Sequence, residues 1–462
     1  MPRPALRRLH RYALPCAVAL AGWGCDGGSK TPVLSHTEAI VRQAAVPPEN
    51  APKLGVVAEV AFVREFTDVR APNLGILRAG ARVARSLEPV SHAGCSGGWY
   101  AVRPRGFVCV GSEATLDLNH PTLAAMALSP NADAKLPYTY ARTRVETPIF
   151  ERATGQDDAV HEVGKLHRRA AMAVVGSWKA KEPSGAESRL ALLTDGHFVR
   201  AADLEAAKAS DFAGVELGKA EDLPIAFVVK RGVRSFHLNG SDAEKGDLLE
   251  YHSELPLAGR FRSAGNVKYW QLEGHAPGSP GGSGDELWVR HQDVTVVQKR
   301  STFPDFVKDD TRWLDISTSM GTLVAYEGKR AVFVTLLSVA RELEASPSGD
   351  TQPVSDGPRG IPLGTFSITQ KGLTLVGKAA TTGFGEPFEV SDAPWALSLS
   401  SGQLLHGAYW HDRFGIEHGA GSIALSPSDA ARLFRFAGPE VPVGWHAVTI
   451  PTNQGTPVVI RK

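Results

Sequence analysis

Leu405-His406-Gly407-Ala408-Tyr409-Trp410-His411-Asp412-Arg413-Phe414-Gly415, followed after a short gap by Gly421-Ser422-Ile423-Ala424-Leu425-Ser426-Pro427-Ser428-Asp429-Ala430, is the stretch on which the reading of this chain turns. Its second half ends in a helix start. Ser426 is a capping residue, Pro427 suits a first helical turn, and Asp429 puts a carboxylate near the positive end of the helix dipole. Upstream, the chain reads as strands. Arg312-Trp313-Leu314-Asp315-Ile316-Ser317 is one, and residues 321–335 form a hairpin turning on Glu327-Gly328-Lys329. Ile361-Pro362-Leu363-Gly364-Thr365-Phe366 and Ala393-Pro394-Trp395-Ala396 then precede the His406-Gly407 pair, and Gly444-Trp445-His446 closes the region.

In this order, over about 140 residues, these motifs resemble the L,D-transpeptidases, the YkuD-type peptidoglycan cross-linking family. The family carries a His-Gly pair, a loop, and then Ser-His-Gly-Cys-x-Asn or Arg. Reading on from His406 without a gap, the cysteine position falls on Ser422, the preceding family histidine on Ala420, and the Asn/Arg position on Ala424. A shifted frame would make His418-Gly419 the His-Gly pair and put Ala420 at the cysteine position, again without a thiol. The resemblance implies a mostly β, sandwich-like domain over residues 305–452 with a short helix after the nucleophile position. It implies peptidoglycan stem peptides as ligand, His406 as general base and Ser422 at the nucleophile position. Gly407, Tyr409, Trp410, Gly421 and Trp395 would border the substrate groove, although the aromatic residues suit core packing equally.

The family's reaction attacks a stem-peptide carbonyl with a thiolate and passes the acyl group to an amine. A cysteine is readily activated by a neighbouring imidazole, whereas a serine hydroxyl needs a tightly oriented base, usually fixed by a third group. Asp412 and Glu417 lie in the loop, and nothing in the sequence aims either at His406. Losses at three of five positions favour a domain that binds stem peptides with impaired turnover; an active serine-dependent transpeptidase is the alternative. Neither reading calls for a cofactor. His406, His411 and His418 do not follow a zinc-ligand spacing, so no metal is expected.

The rest of the chain frames this region. It has 462 residues, 43% hydrophobic and 21% charged, with a net charge of +1, so charge implies no polyanion partner, and no nucleic-acid motif appears. Arg3, Arg7, Arg8 and Arg11 precede an apolar run from Ala13 to Trp23, too short to span a bilayer, and then Gly24-Cys25. This resembles a bacterial lipobox, which implies export with Cys25 as a lipid anchor to a membrane. Residues 1–25 are read as the signal peptide and 26–52 as a flexible tether. Of four cysteines, Cys95 and Cys109 remain as a pair, and a disulfide is the default in an exported protein.

Residues 53–115 read as short strands. Gly97-Gly98-Trp99-Tyr100-Ala101-Val102 and Gly106-Phe107-Val108-Cys109-Val110 flank Arg103-Pro104-Arg105 and resemble the end of a bacterial SH3-like module, a small β-barrel. The ending recurs at Phe198-Val199-Arg200 and Leu287-Trp288-Val289-Arg290, each followed by an Asp-centred turn. Residues 120–300 are therefore expected to hold one or two further SH3-like β modules.

Overall fold

A computed structural model describes residues 45–126, 130–153, 158–218, 223–273, 286–339, 361–376, 378–383, 386–416, 418 and 421–462. The signal-like segment with Cys16 and Cys25, the tether up to residue 44 and the loop from Gly274 to Gly284 lie outside the described residues. So do Glu417, Gly419 and Ala420. The described chain is mainly short strands, with two α-helices at Pro121–Ala125 and Pro427–Phe436.

At the N-terminal side, Trp99–Ala101 and Phe107–Cys109 pair antiparallel across the expected turn, with Trp99 opposite Cys109. Cys95 and Cys109 form a disulfide, with Cα atoms 5.8 Å apart. The first strand begins at Lys53, after the segment read as a tether, within which the Pro47 carbonyl accepts from Arg103 and Glu49 pairs with Arg103 at 2.9 Å. The strands of the segment read as an SH3-like module, 53–115, are divided between a small three-stranded sheet and a larger one. Strand Asn73–Arg78 pairs with Ala447–Thr449, so its sheet continues into the C-terminal region. Gly75 permits this, because a Cβ there would lie 2.4 Å from both the Ala447 carbonyl oxygen and the Trp445 ring.

Apart from Val215–Glu216, which pairs with Arg330–Leu336, the described strands from 120 to 300 fall into two separate sheets. One is built on strands between Thr139 and Ala206 and takes in a later hairpin, Lys378–Gly383 with Glu386–Ser391, through Ala171 opposite Val390. The other runs from Ile225–Val228 to Val294–Val297. The recurring sequence ending is a recurring structure. Glu187–Leu193 pairs with Phe198–Arg200, and Val267–Leu272 pairs with Trp288–Arg290. A 3₁₀ turn follows each, at Ala201–Asp203 and His291–Asp293.

In the C-terminal region, Thr322–Glu327 and Arg330–Leu336 form the expected hairpin, with Glu327 opposite Arg330. Trp313 is fully buried, stacks on Tyr326 at 4.4 Å and donates its indole N–H to the Gly328 carbonyl. The sheet does not stop at residue 452. Pro457–Arg461 lies between Arg312–Ser317 and Gly364–Thr374. Arg461 at its end donates to the buried Asp315 carboxylate at 3.0 Å, an attachment that the apolar pattern alone does not signal. Ser426 caps the final helix by accepting from the Asp429 N–H, as its sequence predicts.

One buried carboxylate ties these parts together. Asp392 accepts from the Arg78 guanidinium of the N-terminal strands, from the Thr194 hydroxyl of the middle sheet and from the Thr374 hydroxyl at 2.9 Å. Its own carbonyl accepts from the Tyr140 hydroxyl at 2.8 Å. Arg78 and Asp392 are both buried, at 5% and 1% relative exposure, and the other carboxylate near Arg78, Glu59, is more distant at 3.6 Å, so removing Asp392 takes the close partner from a buried charge. Asp392→Ala is expected to cost about 3–5 kcal/mol of unfolding free energy by chemical denaturation. A loss under about 1 kcal/mol would show that the node does not hold the sheets together.

Candidate functional site

Strand Leu404–Gly407 runs parallel to Ile423–Leu425, with Leu405 opposite Ile423, His406 opposite Ala424 and Gly407 opposite Leu425. The strands are held side by side by an apolar core that includes Leu405, Ile423 and Leu425. This register brings Ser422, just before the second strand, to the His406 side chain: Ser422 Oγ lies 3.0 Å from His406 Nε2. On the other side of the ring, Nδ1 lies 3.1 Å from the Gly407 carbonyl oxygen. A carbonyl can only accept, so Nδ1 carries the proton and Nε2 presents its lone pair to the serine hydroxyl. The result is a hydroxyl, a neutral imidazole and a backbone carbonyl in line.

His406 is buried beneath the Trp410 ring, which stacks on it at 5.6 Å. Burial pulls its pKa down to about 4, only partly opposed by the Gly407 hydrogen bond. His411, behind Trp410, is lowered to about 3, chiefly by burial and next by His418, whose ring is 4.6 Å away. The imidazoles are therefore uncharged at neutral pH. Among the described residues, no group of three or more His, Cys, Asp or Glu side chains gathers as a metal site.

The expected groove residues divide. Trp410 borders an open cleft of about 700 Å³, and Gly421, exposed beside Ser422, takes the positive φ of 67° that its glycine allows. The other three are corrected: they are enclosed. Trp395 is 1% exposed, packs on Phe434 and donates to the Lys135 carbonyl. Tyr409 is fully buried against Tyr140 and donates to the Ser391 carbonyl. Gly407 sits where a Cβ would press within 3.1 Å of Pro394 and 3.2 Å of Ala430. These residues are packed into the frame around the site. Ala424 belongs to an apolar cluster and pairs with Ser338, so a polar side chain there would enter the core.

Asp412 pairs with Arg231 at 3.3 Å. Sequence reasoning missed the cleft's other walls, Lys208 to Asp211 and the Val229, Arg231 and Tyr251 group, which come from the upstream sheets and their connections. It also missed the second role of Asp429. Besides its place in the helix cap, its carboxylate accepts from the Gly214 N–H at 2.9 Å and the Thr335 hydroxyl at 2.5 Å. It thereby fastens the 208–217 segment to the helix that follows Ser422. Burial raises its pKa to about 6.

No family model matches the chain, and no curated protein matches it. Solved structures of L,D-transpeptidases resemble part of it. A cysteine-to-serine mutant from Enterococcus faecium is 17% identical over 36% of this chain and 55% of its own, with a TM-score of 0.23. One from Xylanimonas cellulosilytica is 13% identical over 35% and 65%, with a TM-score of 0.20. One from Mycobacterium tuberculosis H37Rv is 15% identical over 45% and 93%, with a TM-score of 0.22. The chain thus spans less than two thirds of the first two structures, and the resemblance is distant and partial.

The His406 arrangement predicts a specific titration. Its folded pKa lies below the unfolded value of 6.5, so it stabilises the fold above that value, and the contribution is lost as pH falls toward about 4. The ring ¹⁵N shifts should hold the Nδ1–H tautomer from pH 8 to 5; a midpoint near 6.5 would contradict the enclosed geometry.

Proposed function

We propose that this protein binds peptidoglycan stem peptides through an L,D-transpeptidase-like domain whose turnover is impaired. The observation that carries the reading is the aligned trio of Ser422, His406 and the Gly407 carbonyl, set inside the His-Gly to Gly-Ser frame. The frame supports the ligand class, and the trio's chemistry supports the impairment. A hydroxyl at the thiol's place must be deprotonated during attack, leaving an imidazolium. Burial already disfavours that charge, and Nδ1 meets a neutral carbonyl where serine enzymes commonly have a carboxylate. Asp412 is turned to Arg231.

The 3.0 Å contact also favours a second reading, slow serine-dependent acyl transfer. Ser422 Oγ would form an ester bond to the stem carbonyl while its proton passed to His406 Nε2. Breaking the amide C–N bond would return that proton to the departing D-amino acid. An acceptor amine would then take the acyl group and regenerate the hydroxyl.

The same reading puts the protein in the bacterial envelope, exported and held to a membrane through a lipid on Cys25. The arginine-rich start, the apolar run and the Gly24-Cys25 pair support this.

The test follows D-alanine release and intact mass when the full chain, in mild detergent, meets tetrapeptide-stem muropeptides. The expected result is binding without an acyl adduct, and release in Ser422→Cys on the order of 10²-fold above the natural protein. Release and an adduct that disappear in Ser422→Ala would establish the serine transferase instead. No binding in any form would sink both readings.

A further inference from the structure

The cleft beside Trp410 is not built by the C-terminal region alone. Arg231 and Tyr251 reach it from the sheet spanning 225–297 and meet the loop between the two site strands. Arg231 lies over the Tyr251 ring at 4.5 Å and pairs with Asp412 at 3.3 Å, while the Tyr251 hydroxyl lies 3.5 Å from the Asp412 carbonyl oxygen. A second open cleft, of about 650 Å³, shares Asp211, Arg231, Tyr251 and Asp412 with the first. The Arg231–Asp412 pair therefore stands at the junction of the two clefts, where a ligand running from one to the other must pass it.

The charges differ between the two clefts. Lys208, Arg231 and Arg413 line the larger cleft against Asp211 and Asp412, and Asp211 is drawn to Lys135 at 3.1 Å, a cation outside that lining. Among the described lining residues of the larger cleft the cations outnumber the carboxylates, whereas in the second cleft Glu250 joins Asp211 and Asp412 around Arg231, so it is the larger cleft that suits a ligand carboxylate. Arg231 and Asp412 are solvent-exposed, with side chains 74% and 53% accessible, so their pairing is weak and screened by water. A guanidinium already aligned on an aromatic face, with an easily displaced partner, is prepared for a bidentate carboxylate.

We propose that Arg231 is the carboxylate anchor for the stem peptide, and that the peptide takes the guanidinium from Asp412 by exchange. This rests on the stem-peptide reading and adds to it a specificity residue outside the transpeptidase-like region. Arg231 holds the ligand beside Trp410, one ring from His406, and Asp412 competes for the same guanidinium. The two residues therefore act with opposite sign, which a merely structural ion pair would not do.

The experiment is calorimetric titration of the full chain, in mild detergent, with a synthetic tetrapeptide stem bearing free carboxylates and with the same peptide amidated at each of them. The natural chain should prefer the free-acid peptide. Arg231→Gln should weaken its binding about tenfold and abolish the preference, since one lost charge-assisted fork is worth roughly that factor. Arg231→Lys should restore part of the affinity, and Asp412→Asn should tighten binding about threefold, the scale of an exposed ion pair. Unchanged melting curves would separate these effects from misfolding. If the natural chain binds and both Arg231→Gln and Asp412→Asn weaken it equally, or neither alters it, the anchor assignment is wrong while the stem-peptide reading stands. If the natural chain binds neither peptide, the stem-peptide reading falls and the anchor with it.

Discussion

A single buried carboxylate sets the terms for this structure. Asp392 has to be satisfied in a place water does not reach, and its donors come from three parts of the chain: Arg78, Thr194 and Thr374. Each part gives up an independent orientation to complete the set. The backbone bears the mark of this constraint. Asp392 and Trp395 both take positive φ, at 53° and 57°, a conformation that non-glycine residues adopt at a cost and only where their surroundings over-determine it. Trp395 is fixed by its indole bond to Lys135 and by Phe434. Between them begins strand Pro394–Leu399, the immediate partner of the strand that carries His406. The line from the N-terminal strands to the serine–histidine pair is thus one of contiguous hydrogen bonds and packing.

The site itself combines close geometry with weak chemical means. The register of two parallel strands delivers the hydroxyl to the imidazole, and a backbone carbonyl fixes the tautomer. Among the described residues, the partner behind the ring is the neutral Gly407 carbonyl, which offers no charge to the cation that proton transfer would create. A thiol tolerates that shortage, because it ionises near neutral pH without much help; a hydroxyl does not. The same burial that orients His406 also lowers its basicity, so orientation and reactivity pull in opposite directions here.

What could be read from the sequence was whatever depended on neighbours along the chain. The Glu327-Gly328-Lys329 turn, the Ser426 cap and the recurring aromatic-Val-Arg endings are local signals, and each appears where its residues place it. The 16-residue separation of His406 and Ser422 was visible in the sequence, but their contact, which depends on strand register, was not. The aromatic residues near that frame were ambiguous, since one-dimensional proximity to a site does not tell a ligand-facing ring from a supporting one; Tyr409 and Trp395 proved to be supports. The union of Asn73–Arg78 with Ala447–Thr449, and the arrival of Arg231 and Tyr251 at the cleft, join residues far apart in the chain. Gly75 was a possible clue to close backbone approach, but a glycine within a strand does not name its partner.

The pairing of Leu404–Gly407 with Ile423–Leu425 has a further consequence. The serine and histidine are positioned by the two strands that bracket the loop from Ala408 to Gly421, not by the loop itself. Trp410, His411, Asp412, Arg413 and Ile416 from that loop line the cleft, together with Val229, Arg231 and Tyr251 from the connections of a different sheet. Positioning of the pair and shaping of the cleft are therefore carried by separable parts of the chain. Substitutions in the loop or in the segments from the other sheet would reshape the cleft while the pair stayed in register. Conversely, a substitution at position 422 would change the pair without redrawing the cleft, whose lining does not include it.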